Sequence, residues 1–275
     1  MNKKEFHDLS ELALNSEGQS WGNLGYWIDG ERNYSRACRT LALKLGEAAD
    51  LNERSVIFDA GFGCGDQLLL WLNQFKALDI CGINISGSQT QKAKSLLTKA
   101  RHANKSASIA TADIDHEDKW SAVVGDRNIS HILALDCVYH FPSRVHFFDQ
   151  SSSYLKPGGK LALTDFLLPE QNRDNIVQKL LLLAMFKLSR IPYKNMVGKA
   201  SYQHELEVSG FRIVEFRNIS QPVMGGFSNW VRSGKSKNLP LMSRVKYGLT
   251  AAFLNWSYNR SILQYSIIVA EKTDR

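Results

Sequence analysis

VIFDAGFGCG, residues 56–65, decides how the rest of the chain is read. The apolar run Val56-Ile57-Phe58 stops at the acid Asp59, and Gly61, Gly63 and Gly65 then alternate with other residues. QLLLWLNQF (67–75) follows with a helical pattern. A short buried strand, a turn of bare backbone and a helix open a strand–helix–strand unit. Alternate glycines permit positive φ and remove the Cβ atoms that would hold a ligand away from the backbone. A dinucleotide fingerprint would need a glycine where Asp66 stands, and a carboxylate there would repel a pyrophosphate. No Lys-Ser or Lys-Thr follows, so a Walker phosphate loop is excluded as well. The loop favours a nucleoside with an amino-acid tail, whose amine Asp59 is positioned to accept.

Working outward, strand and helix signals alternate. DICGINI (79–85) is a second strand, and SGSQTQKAKSLLTKARH (86–102) a helix capped by Ser86 or Ser88. SASIATAD (106–113) is a third strand, HILALD (131–136) a fourth, VHFFDQSSSYL (145–155) a helix stopped by Lys156-Pro157-Gly158-Gly159, and KLALTDFLL (160–168) a fifth strand. Such alternation predicts an α/β, Rossmann-like, doubly wound, mostly parallel sheet, with ligands at the carboxyl ends of its strands. Upstream, residues 33–49 have apolar positions at helical spacing. Downstream, a helix near 174–189 and another around 202–209 are expected. FRIVEFRNI (211–219) and LQYSIIVAEK (263–272) are expected to finish the sheet with an antiparallel C-terminal strand. The chain thus divides into an N-terminal helical lid (1–50), a cofactor-binding core (51–170), and an acceptor-binding cap with the last strands of the sheet (171–275).

Asp59-Ala60-Gly61-Phe62-Gly63-Cys64-Gly65 resembles the first motif of the class I S-adenosylmethionine-dependent methyltransferases. Three further stretches fall in that family's order. DICGINISGSQTQKAK is similar to the motif beside the ribose, ATADI (110–114) to the acidic turn that meets the adenine, and YLKPGGKLALTD (154–165) to the helix stop that leads into the fifth strand. The resemblance covers roughly residues 20–168. It implies S-adenosyl-L-methionine as cofactor and S-adenosyl-L-homocysteine as product. The cofactor-binding residues it implies are Trp27, Asp59, Gly61, Gly63, Gly65, Asn84, Ile85, Gln89, Asp113, Ile114 and Asp136. The form GINISGSQ resembles most the branch with the tocopherol, sterol and cyclopropane fatty-acid methyltransferases, as does WGNLGYW (21–27), an aromatic segment that closes over the cofactor in that branch. Asn84 stands where many relatives carry an acid for the ribose hydroxyls; it can donate or accept but carries no charge.

With a sulfonium methyl donor, the protein has to exclude water, align the acceptor and, for a hydroxyl, take a proton. Tyr139 and His140 follow the fourth strand, where the methyl should point. His140 is the expected general base, because imidazole titrates near neutrality; a structural histidine is the alternative. His146 and His204 are weaker candidates. Cyclopropane synthases carry a Glu before the histidine where this chain has Tyr139, so ring closure is not expected. Methylation of O, N or an activated carbon of a small hydrophobic acceptor of secondary metabolism, lipid-, terpenoid- or polyketide-like, is the leading reading. A non-catalytic cofactor-binding protein and an RNA or protein methyltransferase are the alternatives.

The 275 residues, 44% apolar and 22% charged, suit one large domain with decoration. Cys38, Cys64, Cys81 and Cys137 make no CxxC pair, so neither a metal site nor a disulfide framework is expected, and a reducing cytosol suits them. No run reaches the roughly 18 apolar residues of a membrane span, and no secretory signal is expected. The net charge of +7 is uneven: Ile176–Gln203 carries five basic and no acidic residues, and Gln221–Arg260 six basic and none acidic. Nucleic acid is not the expected partner, because no RNA-binding module is present; contact of this basic region with a membrane surface is admitted. IVQKLLLLAMFKLSRIP (176–192), apolar nearly all round with basic ends, could lie on a membrane surface or cover the acceptor pocket, and the pocket cover is the expectation. Trp21, Tyr26, Trp27, Phe227, Trp230, Phe253 and Trp256 are expected to form a lid and cap suited to an apolar acceptor, with ordinary cap packing as the alternative.

Overall fold

In the computed structural model, β1 (Val56–Ala60) lies inside a seven-stranded sheet, with β2 (Asp79–Asn84) on one side and β4 (Ile129–Ala134) on the other. β3 (Ala107–Thr111) pairs with β2, and β5 (Leu155–Leu167) with β4, all in parallel. β7 (Gln264–Lys272) runs antiparallel between β5 and β6 (Phe211–Asn218), giving the order β3-β2-β1-β4-β5-β7-β6. This is the expected doubly wound sheet with its antiparallel finish. The structure describes residues 14–15, 18–28, 30–100, 107–170, 176–235 and 239–274.

The period-2 alternation of each strand feeds two cores. Ile57, Ile80, Leu133 and Ala162 face α1 (Tyr34–Ala48), α2 (Asp66–Asn73) and α3 (Gly87–Lys99), where Leu41, Leu45, Leu68 and Trp71 are buried. Their neighbours Phe58, Cys81, Ile132 and Leu161 face α4 (Glu117–Val124), α5 (Arg144–Tyr154) and α7 (Lys199–Val208), where Trp120, Phe147, Phe148 and Tyr202 are buried. Trp120 stacks on Phe58 at 4.0 Å between ring centroids. Each fully buried side chain of this size contributes about 1.5–3 kcal/mol by leaving water. The connection from β1 runs through α2 on one face and the connection into β4 through α4 on the other, so a crevice opens at the carboxyl ends of β1 and β4.

Several elements differ from the sequence expectation. Lys156–Gly159 does not merely stop a helix. β5 begins at Leu155, paired with Ile129, and the pairing then jumps to His131–Lys160, so the four residues bulge out of the strand. α4, eight residues with the acids Glu117 and Asp118 in its first turn, was not among the expected helices, although Trp120, Val123 and Val124 are buried at helical spacing. The aromatic stretch after β6 is helical: α8 (Gly226–Trp230) is flanked by π-type turns, and α9 (Leu241–Asn259) spans 19 residues from Pro240. α6 (Ile176–Leu188) lies where a helix was expected; residues 171–175 lie outside the described residues.

Residues 18–28 form an extended strap ahead of α1. The Ser20 N–H donates to Asp66 Oδ2 (3.1 Å), the Leu24 N–H to Asp136 Oδ2 (2.7 Å) and the Trp27 N–H to the Pro222 carbonyl (2.9 Å). The strap is thereby tied to the first turn after the glycine loop, to the end of β4 and to the cap. Residues 1–13 of the expected lid lie outside the described residues.

Candidate active site

A cavity of about 430 Å³ opens at the carboxyl ends of β1 to β4, within the size range of small-molecule sites. Its wall collects the loop after each strand: Gly61 and Gly63 after β1; Asn84, Ile85, Ser86 and Gln89 after β2; Ala112, Asp113 and Ile114 after β3; and Leu135, Asp136, Cys137, Tyr139, His140 and Phe141 after β4. Gly22 and Asn23 of the strap, Gln67 of α2, Ile83 of β2, Pro142 and Arg190 also line it.

The glycines divide their work. Gly63 has φ +56°, and a Cβ built on it would meet no protein atom within 4 Å, so what it leaves open is cavity. Gly65 has φ +95°, and its Cβ would stand 2.9 Å from the Cα and Cβ of Ala93, so its role is to let α2 pack closely on α3. Gly65 is not in the cavity wall.

Asp59 is fully buried behind the loop and does not reach the cavity. Gln67 Nε2 donates to both its carboxylate oxygens (2.8 and 3.1 Å) and Trp71 Nε1 to Oδ2 (2.7 Å). Burial pushes its pKa up to about 7, against the pull of these two donors. Gln67, which lines the cavity, stands between Asp59 and the ligand space. Sequence reasoning passed over Gln67; its signal was its place one residue into the helix after the glycines.

Past β2, the Asn84 amide donates to Gln89 Oε1 (3.1 Å), and Ser86 Oγ caps α3 by accepting from the Gln89 N–H (3.3 Å). One helix cap therefore sets both side chains at the strand end, with the exposed Ile85 beside them. Past β3, Asp113 Oδ1 accepts from the Asp115 N–H (3.3 Å), and the buried Ile114 supplies an apolar floor.

Past β4 the chain is tightly held. Asp136 has φ +57°, rare for a residue with a side chain. Its N–H donates to Thr164 Oγ1 (2.8 Å), Oδ2 accepts from Leu24, and Oδ1 accepts from the hydroxyls of Tyr139 (2.9 Å) and Tyr265. Burial raises the Asp136 pKa, with the two tyrosines and the Leu24 N–H opposing. The Tyr139 phenol is thus committed to Asp136, and burial and that carboxylate push its own pKa well up. His140 lines the cavity from the short 3-10 turn 138–140, its ring 4.4 Å from that of Tyr139. Asn195 steadies this turn: its Nδ2 donates to the carbonyls of Phe141 (2.7 Å) and Tyr139 (3.4 Å). Asn195 is in turn gripped by the buried Arg144, which donates to the Asn195 carbonyl, to Asp165 (3.4 Å) and to Glu205 (2.8 Å). Tyr265 and Asn195 come from distant parts of the chain; Arg144 is only four residues past His140, but its partners Asp165, Asn195 and Glu205 are remote, and no local pattern marked the three.

Trp27 lies away from the cavity. Its indole stacks on Trp230 (5.2 Å, 29°) and its Nε1–H donates to the Leu24 carbonyl (2.9 Å), in a space kept clear by Gly226. Strap and cap need that contact to close on one another; Gly22 and Asn23 face the ligand space instead. His146 lines a separate shallow cavity with Glu117 and Gln150. Tyr26, Phe227, Trp230, Phe253 and Trp256 pack in or against the core rather than in the cavity wall, and Trp21 is buried there too. No residue of α6 lines the cavity either; Arg190, two residues beyond it, does.

The residues fit a nucleoside with an amino-acid tail. Bare backbone at Gly63 beside Gln67 offers room for the tail, while Gly61 makes way for Cys137 and donates its N–H to the Ile83 carbonyl (2.8 Å). Asn84 and Gln89 offer amide groups suited to a ribose, and Asp113 and Ile114 offer an acceptor and an apolar surface suited to the base.

Residues 30–215 match the methyltransferase domain family. The chain is 30% identical over 240 residues to the erythromycin 3''-O-methyltransferase of Saccharopolyspora erythraea, covering 83% of this chain and 76% of that protein. It is 29% identical over 153 residues to the 27-O-demethylrifamycin SV methyltransferase of Amycolatopsis mediterranei, covering 54% of each. Among solved structures, a mycolic acid cyclopropane synthase complexed with S-adenosylhomocysteine superposes with a TM-score of 0.78 at 11% identity, over 97% of this chain and 95% of that one.

Proposed function

The chain belongs to the class I S-adenosylmethionine-dependent methyltransferases that act on small molecules, and on that premise we propose that it methylates a hydroxyl of a polyketide- or macrolide-like acceptor, with His140 as the general base. The observation that carries this reading is His140 in the cavity wall beyond β4, the one histidine there among the described residues, in a chain whose similar relatives include an erythromycin 3''-O-methyltransferase and a 27-O-demethylrifamycin SV methyltransferase.

The bound cofactor supplies an electrophilic methyl on a sulfonium. The chain's own residues do the rest. Gly63 and Gln67 would hold the amino-acid tail beside Gly61, Asn84 and Gln89 the ribose, and Asp113 with Ile114 the adenine. Asp136 acts on the strap: by accepting from Leu24 it holds residues 20–24 against the cavity and excludes water. Tyr139 serves orientation, since its hydroxyl is spent on Asp136. His140 would take the proton from the acceptor's hydroxyl, the methyl leaving sulfur for that oxygen with S-adenosylhomocysteine as the leaving group. The strap of residues 18–28 acts as the lid, with α1 packed in the core behind it, and residues 171–275 supply the acceptor cap as well as the outer strands.

The test is release of S-adenosylhomocysteine with a panel of macrolide, polyketide and terpenoid alcohols, beside amine and carbon acceptors. An alcohol should be preferred, and His140→Ala should cost roughly 100-fold in kcat with little change in cofactor affinity. Normal turnover by that variant removes His140 from the chemistry. Preference for an amine or carbon acceptor overturns the hydroxyl assignment.

A further inference from the structure

α6 is apolar nearly all round, yet only Leu182 and Phe186 are buried. Ile176, Val177, Leu180, Leu181, Leu183 and Leu188 stand in the open, Leu180 at 61% and Ile176 at 70% exposure. Scattered surface leucines need no explanation, but so many on 13 consecutive residues form a patch of the kind that marks an interaction site. Glu170 and Asp174 precede the helix in the sequence, but from Ile176 onward the charges have one sign. Lys179 and Lys187 lie on the helix, Arg190, Lys194 and Lys199 follow it, and there is no acid between 176 and 203. α9 repeats the composition: Leu241, Met242, Val245 and Leu249 are exposed beside Arg244 and Lys246.

We infer that α6 is a docking surface for an anionic lipid bilayer, lying in the headgroup plane with its leucines directed into the acyl boundary. Three arguments select this occupant. The first is length: 13 residues of helix span about 20 Å, short of the roughly 30 Å hydrocarbon core. Among the described residues no helix is long and apolar enough to cross a membrane. An interfacial helix needs only to sink about 5–10 Å. The second is charge. A second copy of this chain, docked on this face through a two-fold axis, would bring the same two lysines and no acid of α6 to the interface, and like charges gathered there repel. Anionic headgroups would neutralise them, at a gain of about fivefold in partitioning per basic residue. The third is continuity with the active site. Arg190 follows α6 by two residues and lines the cavity, so a bilayer under α6 lies beside the mouth. An amphiphilic acceptor dissolved in that bilayer would reach the cavity without passing through bulk water.

The experiment is sedimentation of the full chain with vesicles of phosphatidylcholine alone and of phosphatidylcholine mixed with phosphatidylglycerol, at low and high salt, with neither cofactor nor acceptor. Its outcome is therefore independent of which atom is methylated. Binding is expected to the mixed vesicles, far less to the neutral ones, and to fall with salt. Leu180→Glu should lower partitioning about tenfold or more, and Lys179→Gln with Lys187→Gln about 30-fold. Both substitutions change exposed positions, so circular dichroism should be unchanged, and each serves as a check on the other. No binding to mixed vesicles, equal binding to both kinds, or binding indifferent to Leu180→Glu overturns the inference. A wild-type dimer that Leu180→Glu converts to monomer also overturns it, and assigns the face to a second copy of the chain.

Discussion

Gly63 and Gly65 are two residues apart, share a positive φ and belong to one motif, yet they should fail in different ways. A Cβ at Gly63 meets no protein atom within 4 Å, so Gly63→Ala costs the fold only the strain of a side chain at φ +56°, about 1–2 kcal/mol. For a chain of this length that lowers the unfolding midpoint by about 2–8 °C. The added methyl stands in the space where the ligand meets bare backbone. Losing one or two hydrogen bonds there, at about 1–3 kcal/mol, weakens S-adenosylmethionine about 5- to 150-fold, and Gly63→Val should bind more weakly still. At Gly65 the Cβ would press on Ala93 at 2.9 Å, backbone included. Overpacking of about 1–3 kcal/mol adds to the strain, so Gly65→Ala should be the less stable protein and keep the better affinity at a temperature where both are folded. Titration calorimetry with S-adenosylmethionine and S-adenosylhomocysteine, with NADH as control, and thermal unfolding read the two effects separately. Wild-type affinity in folded Gly63→Val, or the reverse order of the two alanine variants, would refute the division of labour.

Asp59 supplies a pH signature. Its pKa is raised in the folded state to about 7 by burial, so the native protein binds this proton more tightly than the unfolded chain does. The stability it contributes is present below about pH 4 and is lost as the pH rises through about 7. The wild-type-minus-Asp59→Asn stability difference from urea denaturation should fall across that window and level off above it; Asp165, raised by burial to about 6, is present in both proteins and cancels. A difference that grows with pH would mean a carboxylate stabilised as the anion. Asp113→Ala should weaken S-adenosylmethionine by about 1–3 kcal/mol while leaving the midpoint nearly unchanged; calorimetry showing no loss would take Asp113 out of the adenine site. Asn195→Ala frees the carbonyls of Tyr139 and Phe141, and should lower kcat about tenfold with cofactor affinity retained. If kcat holds while only stability drops, Asn195 is structural and does not position His140.

Much of the architecture was legible because its demands are local. A strand buried on both faces needs a run such as Val56-Ile57-Phe58, and a turn at positive φ beside a ligand needs Gly61 and Gly63. A helix start needs an oxygen such as that of Ser86. Each requirement is met by residues within a few positions of one another, so the alternation of β and α elements and the loops that line the cavity could be taken from composition and spacing; the methyltransferase likeness came from the resemblance of four ordered motifs. Asn84, Ile85, Gln89, Asp113, Ile114, Asp136, Tyr139 and His140 do come together around one cavity, because parallel strands deliver their carboxyl ends to one edge of the sheet.

What only the tertiary structure decided is which partner each polar side chain takes. Asp59 turns inward to Gln67 and Trp71 instead of reaching a ligand amine, because α2 packs directly over it. Trp27 turns to Trp230, more than 200 residues on, because the helical cap returns over the strap. Asp136 takes its hydrogen bonds from Tyr265 on β7 and from Leu24 on the strap, segments on opposite sides of it in the sequence. No periodicity encodes such pairs. They arise only when the order of strands brings remote segments side by side, and each buried donor or acceptor must then be satisfied by whatever the topology has placed within reach.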